Sequence, residues 1–490
     1  MLKKITNFSL DKNQDSQKNC LYLKNFIDNL VEQDLKLVFE KQSNILDLPS
    51  KITNKKLKIS IFNKFDFESG KFSLNNKFFN ILRGYLINIF LIFYVLIFRK
   101  KKEKFEEGDI ILEEVYKHEE LYRFKSLLSK FEKSFFIKKN NFQTFKKIIP
   151  NSKPISFIFK AINQEFLHKK IFSLIKFTNF LFALSLKKKF NYIYFSNIIL
   201  FSTLKSESIF YNYRSKFKII DRFYYTCPIK NYIFKKYNGK LNVCTQIHLP
   251  ESSISFYTDT DILFTLGNEK FSKEKLLDLG GDITDIFPVG SLKMESLLLN
   301  NKKIINTENY KSDILIIGIN IHKWIHTSNL IKKNYYNFIE WIKKISENFP
   351  NLKIVYKHHA NNIKDIYEEK LLKNSNIKII KGESNILLDH HAGSYYYLNS
   401  SKIVFSFGSS MILEARGLNK NAYFIDPKFE NSSFFHKLEH LKDIRINNFD
   451  NLESIIKKQV INDEKSNDIF CIPSNNTSEK IFNFLNNFNL

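Results

Sequence analysis

The residue types best suited to chemistry stand together at 406–415, where the sequence reads SFGSSMILEA between a strand pattern and a helix pattern. Gly408 and the serines let backbone N–H groups at the start of the helix approach an anion closely, and the helix dipole favours negative charge there. Ser409 or Ser410 can also cap the helix with its side-chain oxygen, and Glu414, one turn on, can accept hydrogen bonds from ribose hydroxyls. The segment therefore indicates a phosphate or nucleotide site. The alternative interpretation is an ordinary capped helix with a solvated Glu414.

The elements that would position these residues alternate between strand and helix over most of the chain. The first 55 residues indicate a mixture of helix and loop, and the later alternation is typical of βαβ units and parallel sheets. In the first part we predict strands at 57–62, 109–115, 191–196, 218–223, 241–247 and 261–266, and helices at 76–100, 117–137 and 157–187. In the second part we predict strands at 312–319, 351–359, 376–380, 402–407 and 421–426, and helices at 329–348, 363–373, 385–399, 410–418, after 433 and after 450.

This order predicts an α/β protein with two Rossmann-like, doubly wound domains. A chain of 490 residues is also too long for one compact core. We expect an N-terminal domain at 1–300 that includes the apolar helix 76–100, a C-terminal domain at 301–445, and a C-terminal helical segment at 446–490.

Several segments resemble GT-B glycosyltransferases, especially the CDP-glycerol glycerophosphotransferase and capsular Kdo transferase groups. The pattern S-x-G-S-S-x-x-x-E-A at 406–415, followed by a strand that ends at Asp426-Pro427, is similar to their donor site. The segment 355–360 (VYKHHA) stands where those families carry a K-x-H-P strand end, and the segment 287–291 (FPVGS) resembles the stretch that joins their two domains. The resemblance covers about residues 240–430 and implies a GT-B-like pair of domains with a cleft between them.

The same resemblance implies roles for individual residues. Ser409 and Ser410 would bind the donor phosphates, and Glu414 would bind the ribose of the nucleotide. Lys357 and His358 would line the donor pocket.

A candidate catalytic base, His248, lies in the sequence TQIHLP at 245–250. This sequence resembles the Q-x-H-G stretch of the same families, with Leu249 in place of the glycine. There the histidine removes the proton of the acceptor hydroxyl, a task that the ordinary pKa of histidine suits near neutral pH. The alternative interpretation is a structural histidine.

The function implied by the resemblance is a glycosyltransferase, or a glycerophosphate-type transferase, of surface polysaccharide synthesis. Its partners would be a nucleotide-activated sugar donor and a glycan or lipid-linked acceptor. We expect no cofactor and no metal, because the D-x-D sequence at 259–261 precedes a strand and the histidine pairs at 358–359 and 390–391 lack the spacing of a zinc site. The sequence also contains no Walker A loop and no G-x-G-x-x-G fingerprint, which leaves ATPases and dehydrogenases without support.

The net charge of +26 indicates an anionic partner, although the abundance of Lys, Asn and Ile together also fits compositional bias alone. Because the lysines are scattered along the chain, we expect no nucleic-acid partner. The apolar stretch 81–98, followed by the basic residues 99–102, is short for a membrane span; the alternatives are a helix on an anionic membrane surface, a buried helix and a spanning helix. Four scattered cysteines and the lack of an apolar leader favour a cytoplasmic location, peripheral on the inner face of the cell membrane.

Two other functions fit parts of this pattern. A nucleotide-sugar epimerase shares the two-domain architecture and needs no acceptor. A basic protein that binds membranes or nucleic acid without catalysis would explain the charge alone, and it would bind nucleic acid with a steep dependence on salt.

Overall fold

The fold was analysed in a computed structural model of the chain. It describes residues 4–5, 7–11, 13–14, 16–66, 69, 71–74, 76–97, 105–115, 118–138, 151–156, 170–221, 226–246, 257–267, 273, 276–278, 280–300, 311–319, 329–359, 368, 372–373, 375–380, 392–428, 444–461 and 476–488.

The N-terminal domain is built on a seven-stranded sheet in which all neighbouring strands are parallel. A separate antiparallel pair, β1 (Phe65–Asp66) and β2 (Lys71–Phe72), precedes it. The strands of the large sheet are β3 (Glu106–Val115), β4 (Ser134–Lys138), β5 (Ser152–Ser156), β6 (Tyr213–Ile220), β7 (Leu241–Thr245), β8 (Asp259–Thr265) and β9 (Asp282–Pro288). Their order is β5-β4-β3-β6-β7-β8-β9, which is the order of a Rossmann fold with one strand added.

The C-terminal domain contains a six-stranded sheet that is also parallel throughout. Its strands are β10 (Ser312–Ile317), β11 (Ile354–Lys357), β12 (Lys378–Ile380), β13 (Ser401–Ser406), β14 (Asn421–Ile425) and β15 (Arg445–Ile446). Their order, β12-β11-β10-β13-β14-β15, is the Rossmann order itself. The prediction of two Rossmann-like α/β domains is therefore confirmed.

Helices surround both sheets. Those before and within the N-terminal domain are α1 (Ser16–Leu30), α2 (Lys36–Ile45), α3 (Ser50–Phe62), α4 (Phe78–Ile97), α5 (His118–Leu128), α6 (Ile171–Lys188), α7 (Tyr192–Asn212), α8 (Pro228–Lys236) and α9 (Leu292–Asn300). A π-helical turn at Val31–Leu35 joins α1 to α2. The later helices are α10 (Asn329–Asn348), α11 (Ala392–Ser400), α12 (Met411–Gly417), α13 (Phe449–Ile456) and α14 (Thr477–Asn487), with a second π-helical turn at Lys457–Ile461.

The central strands are continuous apolar runs because helices cover both faces of a parallel sheet. In β10 the side chains from Ile314 to Ile317 are all buried. They pack with Phe338 and Ile342 of α10 in the core of the C-terminal domain. This burial fixes the register that places the carboxyl ends of β10, β11 and β13 side by side.

Two predicted strands of the N-terminal domain are wrong, because both segments are helical. The residues 57–62 belong to α3, where Leu57 and Ile61 are fully buried one helical turn apart. The residues 191–196 begin α7, whose first turn is capped by the Asn191 side chain accepting from the Tyr194 N–H at 3.0 Å. α7 is buried along most of its length, and its buried positions include polar as well as apolar residues, so the sequence does not show an apolar stripe with helical periodicity.

Other predictions are confirmed in part. The helix expected at 117–137 ends at Leu128 and is followed by β4, while β5 and β9 were not predicted as strands. The strands and helices expected between 312 and 426 are present wherever the structure describes them, and α10 has the predicted bounds. Most of the helix expected at 363–373, the start of the one at 385–399 and the start of the one after 433 lie outside the described residues.

The last helix, α14, packs on the N-terminal domain. Ser478, the second residue of α14, donates from both its N–H and its hydroxyl to the Glu295 carboxylate of α9. Phe482 stacks edge to face on Phe131 with ring centroids 5.2 Å apart. The C-terminal segment therefore returns to the first domain.

The apolar helix expected at 76–100 is α4. Within the part of the chain that the structure describes, no helix combines the length and the apolarity that crossing a membrane requires.

Candidate functional site

The carboxyl ends of β10 and β13 form the topological switch point of the C-terminal sheet, because the sheet extends in opposite directions from these two strands. Ile317, the last residue of β10, lies opposite Ser406 of β13 on one side and Lys357 of β11 on the other. Adjacent strands are about 4.8 Å apart, so the backbones of Lys357 and Ser406 are roughly 10 Å apart. Crevices that bind ligands form at this position in open α/β sheets.

Ser406 organises the turn that leaves β13. Its hydroxyl donates to the Ile317 carbonyl at 2.7 Å and accepts from the N–H groups of Gly408 and Ser409 at 3.4 and 3.1 Å. The amides of Gly408 and Ser409 therefore already have an acceptor within the turn. The hydrogen bonds instead tie the turn to β10, which fixes the position of the two serines that follow.

Ser409 and Ser410 lie half-buried between this turn and α12. The Ser409 hydroxyl accepts from the Met411 N–H at 3.3 Å, whereas Ser410, the cap residue by position, makes no capping bond through its side chain. Ser409 is thus the residue that caps the helix. Because the hydroxyl oxygen is the acceptor in this bond, the hydroxyl keeps the capacity to donate to an oxygen of a ligand.

Glu414 of α12 joins the two domains. Its Oε1 accepts from the Ser291 hydroxyl at 2.9 Å, and the same hydroxyl accepts from the Met294 N–H at 3.2 Å, so Ser291 caps α9. Gly290 precedes this cap with a φ of 93°, a conformation that glycine adopts without strain. Glu414 is only 5% exposed, so the interpretation of a solvated surface carboxylate is wrong.

The carboxyl end of β11 carries the basic pair on opposite faces of the sheet, as successive residues of an extended chain require. Lys357 is buried and in register with Ile317 and Ser406. His358 is on the other face, where its Nδ1 is 3.1 Å from Oε1 of Glu368. Lys357 and His358 therefore approach the edge of the sheet from two sides.

A buried polar cluster supports His358. The Tyr335 hydroxyl of α10 donates to Oε2 of Glu368 at 2.8 Å and lies 3.0 Å from the Tyr356 hydroxyl. Burial, with the neighbouring Tyr335 and Glu368, raises the pKa of Tyr356 well above its ordinary value, so its hydroxyl stays protonated. Glu368 is fully buried, and its Oε1 lies beside Nδ1 of the imidazole.

Gly318 allows β10 and β11 to approach each other at this point. A Cβ atom on Gly318 would lie 3.0 Å from the Lys357 carbonyl oxygen and 3.1 Å from the Tyr356 hydroxyl. The Gly318 N–H donates to the same Lys357 carbonyl at 2.9 Å. A side chain here would push the end of β11 away from β10.

Asp426, which directly follows β14, makes contacts that stabilise the fold. Its two carboxylate oxygens accept from Asn334 at 2.6 Å and from Arg445 at 2.5 Å, and the side chain is fully buried. Burial lowers the pKa of the Arg445 guanidinium, and the negative charge of its partner Asp426 acts in the opposite direction. Asp426 thus anchors α10 and β15 beside the site.

The two aspartates of the D-x-D sequence lie at the amino end of β8, and both make contacts within the protein. Asp259 pairs with Lys55 at 2.7 Å and accepts from Asn231, and Asp261 pairs with Lys235 and accepts from the Asn242 N–H at 2.8 Å. This is the edge opposite the carboxyl ends of the strands. Among the described residues no group of three or more His, Cys, Asp or Glu side chains is arranged to hold a metal ion.

The structure thus brings five of the six residues singled out in the sequence to one edge of the C-terminal sheet. These are Lys357, His358, Ser409, Ser410 and Glu414. The sixth, His248, lies outside the described residues, since 247–256 are not described. The predicted roles of all six stay predictions.

Sequence reasoning missed Ser291 and Glu368. Ser291 lies in the recognised FPVGS segment, and the serine that follows a glycine just before a helix is itself a capping signal. Glu368 carries no such signal, because its contacts with Tyr335 and His358 join residues that are 33 and 10 positions away.

Comparisons with known proteins give similarity in structure alone. No family model matches the chain, and no curated protein matches it. The UDP-GlcNAc 2-epimerase of Methanocaldococcus jannaschii is 16% identical with a TM-score of 0.43, and the match covers 78% of this chain and 100% of that one. The UDP-GlcNAc 2-epimerase of Neisseria meningitidis, bound to UDP-GlcNAc, is 15% identical with a TM-score of 0.44 and the same coverage. The wall teichoic acid polymerase TagF is 10% identical with a TM-score of 0.41, covering 84% of this chain and 97% of that one.

Likenesses this distant carry no conclusion about activity. The assignment of two Rossmann-like domains depends on the strand order of the two sheets themselves.

Proposed function

We propose that the protein is a metal-independent glycosyltransferase, or a glycerophosphate-type transferase, that takes its group from a nucleotide-activated donor. The donor binds at the switch point of the C-terminal sheet. The acceptor is a glycan or a lipid-linked glycan of surface polysaccharide synthesis. This proposal extends the resemblance of the 240–430 segment to the geometry of the described site.

The observation that carries the proposal is the convergence of hydroxyl and basic side chains on one switch point. Ser409 and Ser410 follow β13, while Lys357 and His358 end β11, with a single strand between them. Hydroxyl donors and cations are the groups that bind phosphate oxygens. A pyrophosphate that bridges the two strand ends would contact both sets.

In this proposal Glu414 recognises the ribose of the nucleotide. A carboxylate accepts hydrogen bonds from both hydroxyls of a ribose, in the way that acidic residues do in other Rossmann-like domains. Glu414 already accepts from the Ser291 hydroxyl, so a bound ribose would either share this carboxylate with Ser291 or replace Ser291 as its hydrogen-bond donor. Donor binding is thereby coupled to the contact between the two domains.

In the proposed reaction the acceptor hydroxyl attacks the anomeric carbon of the donor sugar as the bond from that carbon to the phosphate oxygen breaks. His248 accepts the proton of the hydroxyl. Lys357 and His358 stabilise the negative charge that develops on the departing nucleoside diphosphate. For a glycerophosphate donor the attacked atom is phosphorus and the leaving group is the nucleoside monophosphate.

The proposal is tested by thermal unfolding with CMP, CDP, UDP and GDP. A nucleotide present at 100 times its dissociation constant stabilises the folded state by about 2.7 kcal/mol. We expect one nucleotide to raise the Tm of the wild type and to raise that of Glu414→Gln much less. Glu295→Gln is the matched control, since Glu295 is also a buried glutamate that accepts from a serine hydroxyl between two helices.

The control should lose stability without losing the nucleotide response. If no nucleotide shifts the Tm of the wild type, the proposed function is wrong. An equal loss of response in both variants would remove Glu414 from the binding site.

A nucleotide-sugar epimerase would use the same binding residues, and a product assay separates the two. Incubation with UDP-GlcNAc alone should leave the sugar unchanged if the protein is a transferase that needs an acceptor. Formation of the 2-epimer would establish the epimerase instead.

A further inference from the structure

Helices α4 and α6 lie side by side and antiparallel on the outside of the N-terminal domain. The Tyr85 hydroxyl of α4 donates to the Asn179 side chain of α6 at 2.8 Å, and the rings of Tyr85 and Phe182 are 4.8 Å apart. The start of α4 meets the end of α6 around Phe78 and Leu186, which together line one cavity.

The inner side of this helix pair is fixed on α7. A Cβ atom on Gly84 would come within 2.8 Å of the Ile193 side chain, so the glycine permits close packing of α4 on α7. Asn88 is fully buried there and donates to the Ser196 hydroxyl at 3.3 Å. The opposite side of the pair therefore faces away from the protein.

That outer side is apolar and exposed, and we call it the α4–α6 face. Phe79 is 80% exposed, Phe90 is 62% exposed and Phe172 is 78% exposed. Further exposed apolar side chains lie along the same two helices: Leu86, Ile87, Phe93, Phe180 and Leu186. Exposed apolar patches of this extent mark interaction surfaces in soluble proteins.

The charged side chains of the two helices are all positive, and the acidic residue beside them, Asp47, pairs with Lys170 just before α6. Neither α4 nor α6 contains an aspartate or a glutamate. Exposed basic residues accompany the apolar ones at Lys77, Arg83, Lys176, Lys187, Lys188 and Lys189. The sequence continues after α4 with four more basic residues at 99–102.

A cavity of 810 Å³ opens between the start of α4 and the end of α6. Leu74, Phe78 and Ile81 contribute apolar walls, and Lys77 and Lys189 contribute positive charge. This combination fits the upper part of an acyl chain below a phosphate headgroup.

We infer that the α4–α6 face binds the surface of an anionic lipid bilayer. The exposed aromatic and aliphatic side chains enter the headgroup and upper acyl region, while the lysines and Arg83 contact lipid phosphates. The two helices lie in the plane of the membrane. Attraction to anionic lipid adds to apolar burial and is weakened by salt.

This inference shares no residue with the C-terminal switch point, so it can fail without affecting the proposed function. If the proposed function is correct, membrane binding also brings the enzyme close to its lipid-linked acceptor. The competing occupant of the face is a second copy of the chain.

The test is co-sedimentation of the purified full-length protein with vesicles of phosphatidylcholine, with and without phosphatidylglycerol. We expect binding to the anionic vesicles that weakens with added salt, and weak binding to phosphatidylcholine alone. The double variant Phe79→Ser/Phe90→Ser should bind the anionic vesicles at least about tenfold more weakly. The control is Phe488→Ser, because Phe488 is similarly exposed but stacks on Phe484 of α14 away from the face.

The lysines are tested with Lys187→Gln/Lys188→Gln, which should weaken binding to anionic vesicles about tenfold and leave binding to phosphatidylcholine unchanged. Unfolding temperatures of all variants are compared with that of the wild type, and folded variants are expected since these side chains are exposed. Failure of the wild type to bind anionic vesicles would overturn the inference. Equal vesicle binding by the wild type and by the Phe79→Ser/Phe90→Ser variant would also overturn it. The same holds if the wild type is a dimer and the Phe79→Ser/Phe90→Ser variant is a monomer that still binds vesicles.

Discussion

The two sheets share one strand order but differ in the side chains at their switch points. In the C-terminal sheet the switch point carries hydroxyl residues and one basic pair at the end of β11. In the N-terminal sheet the corresponding strands are β3 and β6, and their ends are held by buried ion pairs. Glu113 of β3 accepts from Lys218 at 2.9 Å and from Lys230 of α8, and Arg123 pairs with Asp221 after β6.

This difference shows how one architecture can serve two tasks. The N-terminal switch point satisfies its charges internally, so it contributes to folding and to the shape of the domain. At the C-terminal switch point His358 pairs with Glu368, but Ser409, Ser410 and Lys357 lie at the same edge, and we propose this combination of hydroxyl and basic groups as the site of a phosphorylated ligand. Topology alone would have suggested a site at both places.

The largest effect is expected from breaking the ion pairs of the N-terminal switch point. Glu113→Ala leaves the buried Lys218 and Lys230 without their shared carboxylate, and we expect the free energy of unfolding to fall by about 3–5 kcal/mol. Urea unfolding measures this change. The nucleotide response of the remaining folded protein should equal that of the wild type.

A triple replacement provides the control for this prediction. Glu113→Met/Lys218→Met/Lys230→Met removes all the charges together and should cost far less than Glu113→Ala alone. If Glu113→Ala lowers the free energy of unfolding by less than about 1 kcal/mol, the ion pairs are not what holds this switch point.

A smaller effect is expected at the C-terminal switch point from the positioning residue Glu368. Glu368→Gln removes the negative charge beside Nδ1 of His358 and leaves one side-chain oxygen for two neighbours, the imidazole and the Tyr335 hydroxyl. We expect nucleotide affinity, measured by titration calorimetry, to fall about tenfold, which is about 1.4 kcal/mol.

Tyr335→Phe is the matched variant. It removes the hydroxyl that donates to Glu368 but leaves the pair of Glu368 and His358 in place. We expect it to lower the free energy of unfolding by about 1 kcal/mol and to keep nucleotide affinity within about twofold. Equal losses of affinity in both variants would show that the cluster is structural only.

The smallest effect concerns the acid stability of the N-terminal region. Burial acts to raise the pKa of Asp28, but the hydrogen bond from Lys24 and the charge of Lys58 outweigh it and hold the pKa below its ordinary value of 3.8. The folded state therefore binds this proton less readily than the unfolded state, so the stabilisation is present above pH 3.8 and is lost as the pH falls towards the lowered pKa. Asp28→Asn should remove this part of the pH dependence.

Urea unfolding between pH 3 and pH 5 measures this effect as a small difference in slope between wild type and Asp28→Asn. Lys58→Met removes one of the charges that lower the pKa of Asp28, so it should remove part of the same slope. A slope that stays unchanged in Asp28→Asn would contradict this prediction.

The sequence was informative where local pattern and tertiary structure agree. The C-terminal sheet has short apolar strands bounded by polar turns and amphipathic helices such as α10, so β10 to β14 and α10 match the predicted elements to within about three residues at each end, whereas β15 was not predicted. In α7 the same apolar and aromatic residue types occur in a helix that is buried on almost every side, and only the Asn191 cap distinguishes it from a strand. The strands β5 and β9 carry lysine, proline or aspartate and show no clear alternation.

The candidate site follows the same rule. Ser409, Ser410 and Glu414 are close in sequence and could be recognised as one group. The contacts of Glu414 with Ser291 and of His358 with Glu368 depend on how distant segments pack, so no local pattern encodes them.

The most direct test of the account is hydrogen–deuterium exchange with and without the nucleotide that raises the Tm. We predict slower exchange at the end of β11 and in the turn from Ser406 to α12, and unchanged exchange at the ends of β3 and β6. Protection at β3 and β6 with none at β11 and α12 would contradict the account, because it would place the ligand at the switch point that the buried ion pairs already occupy.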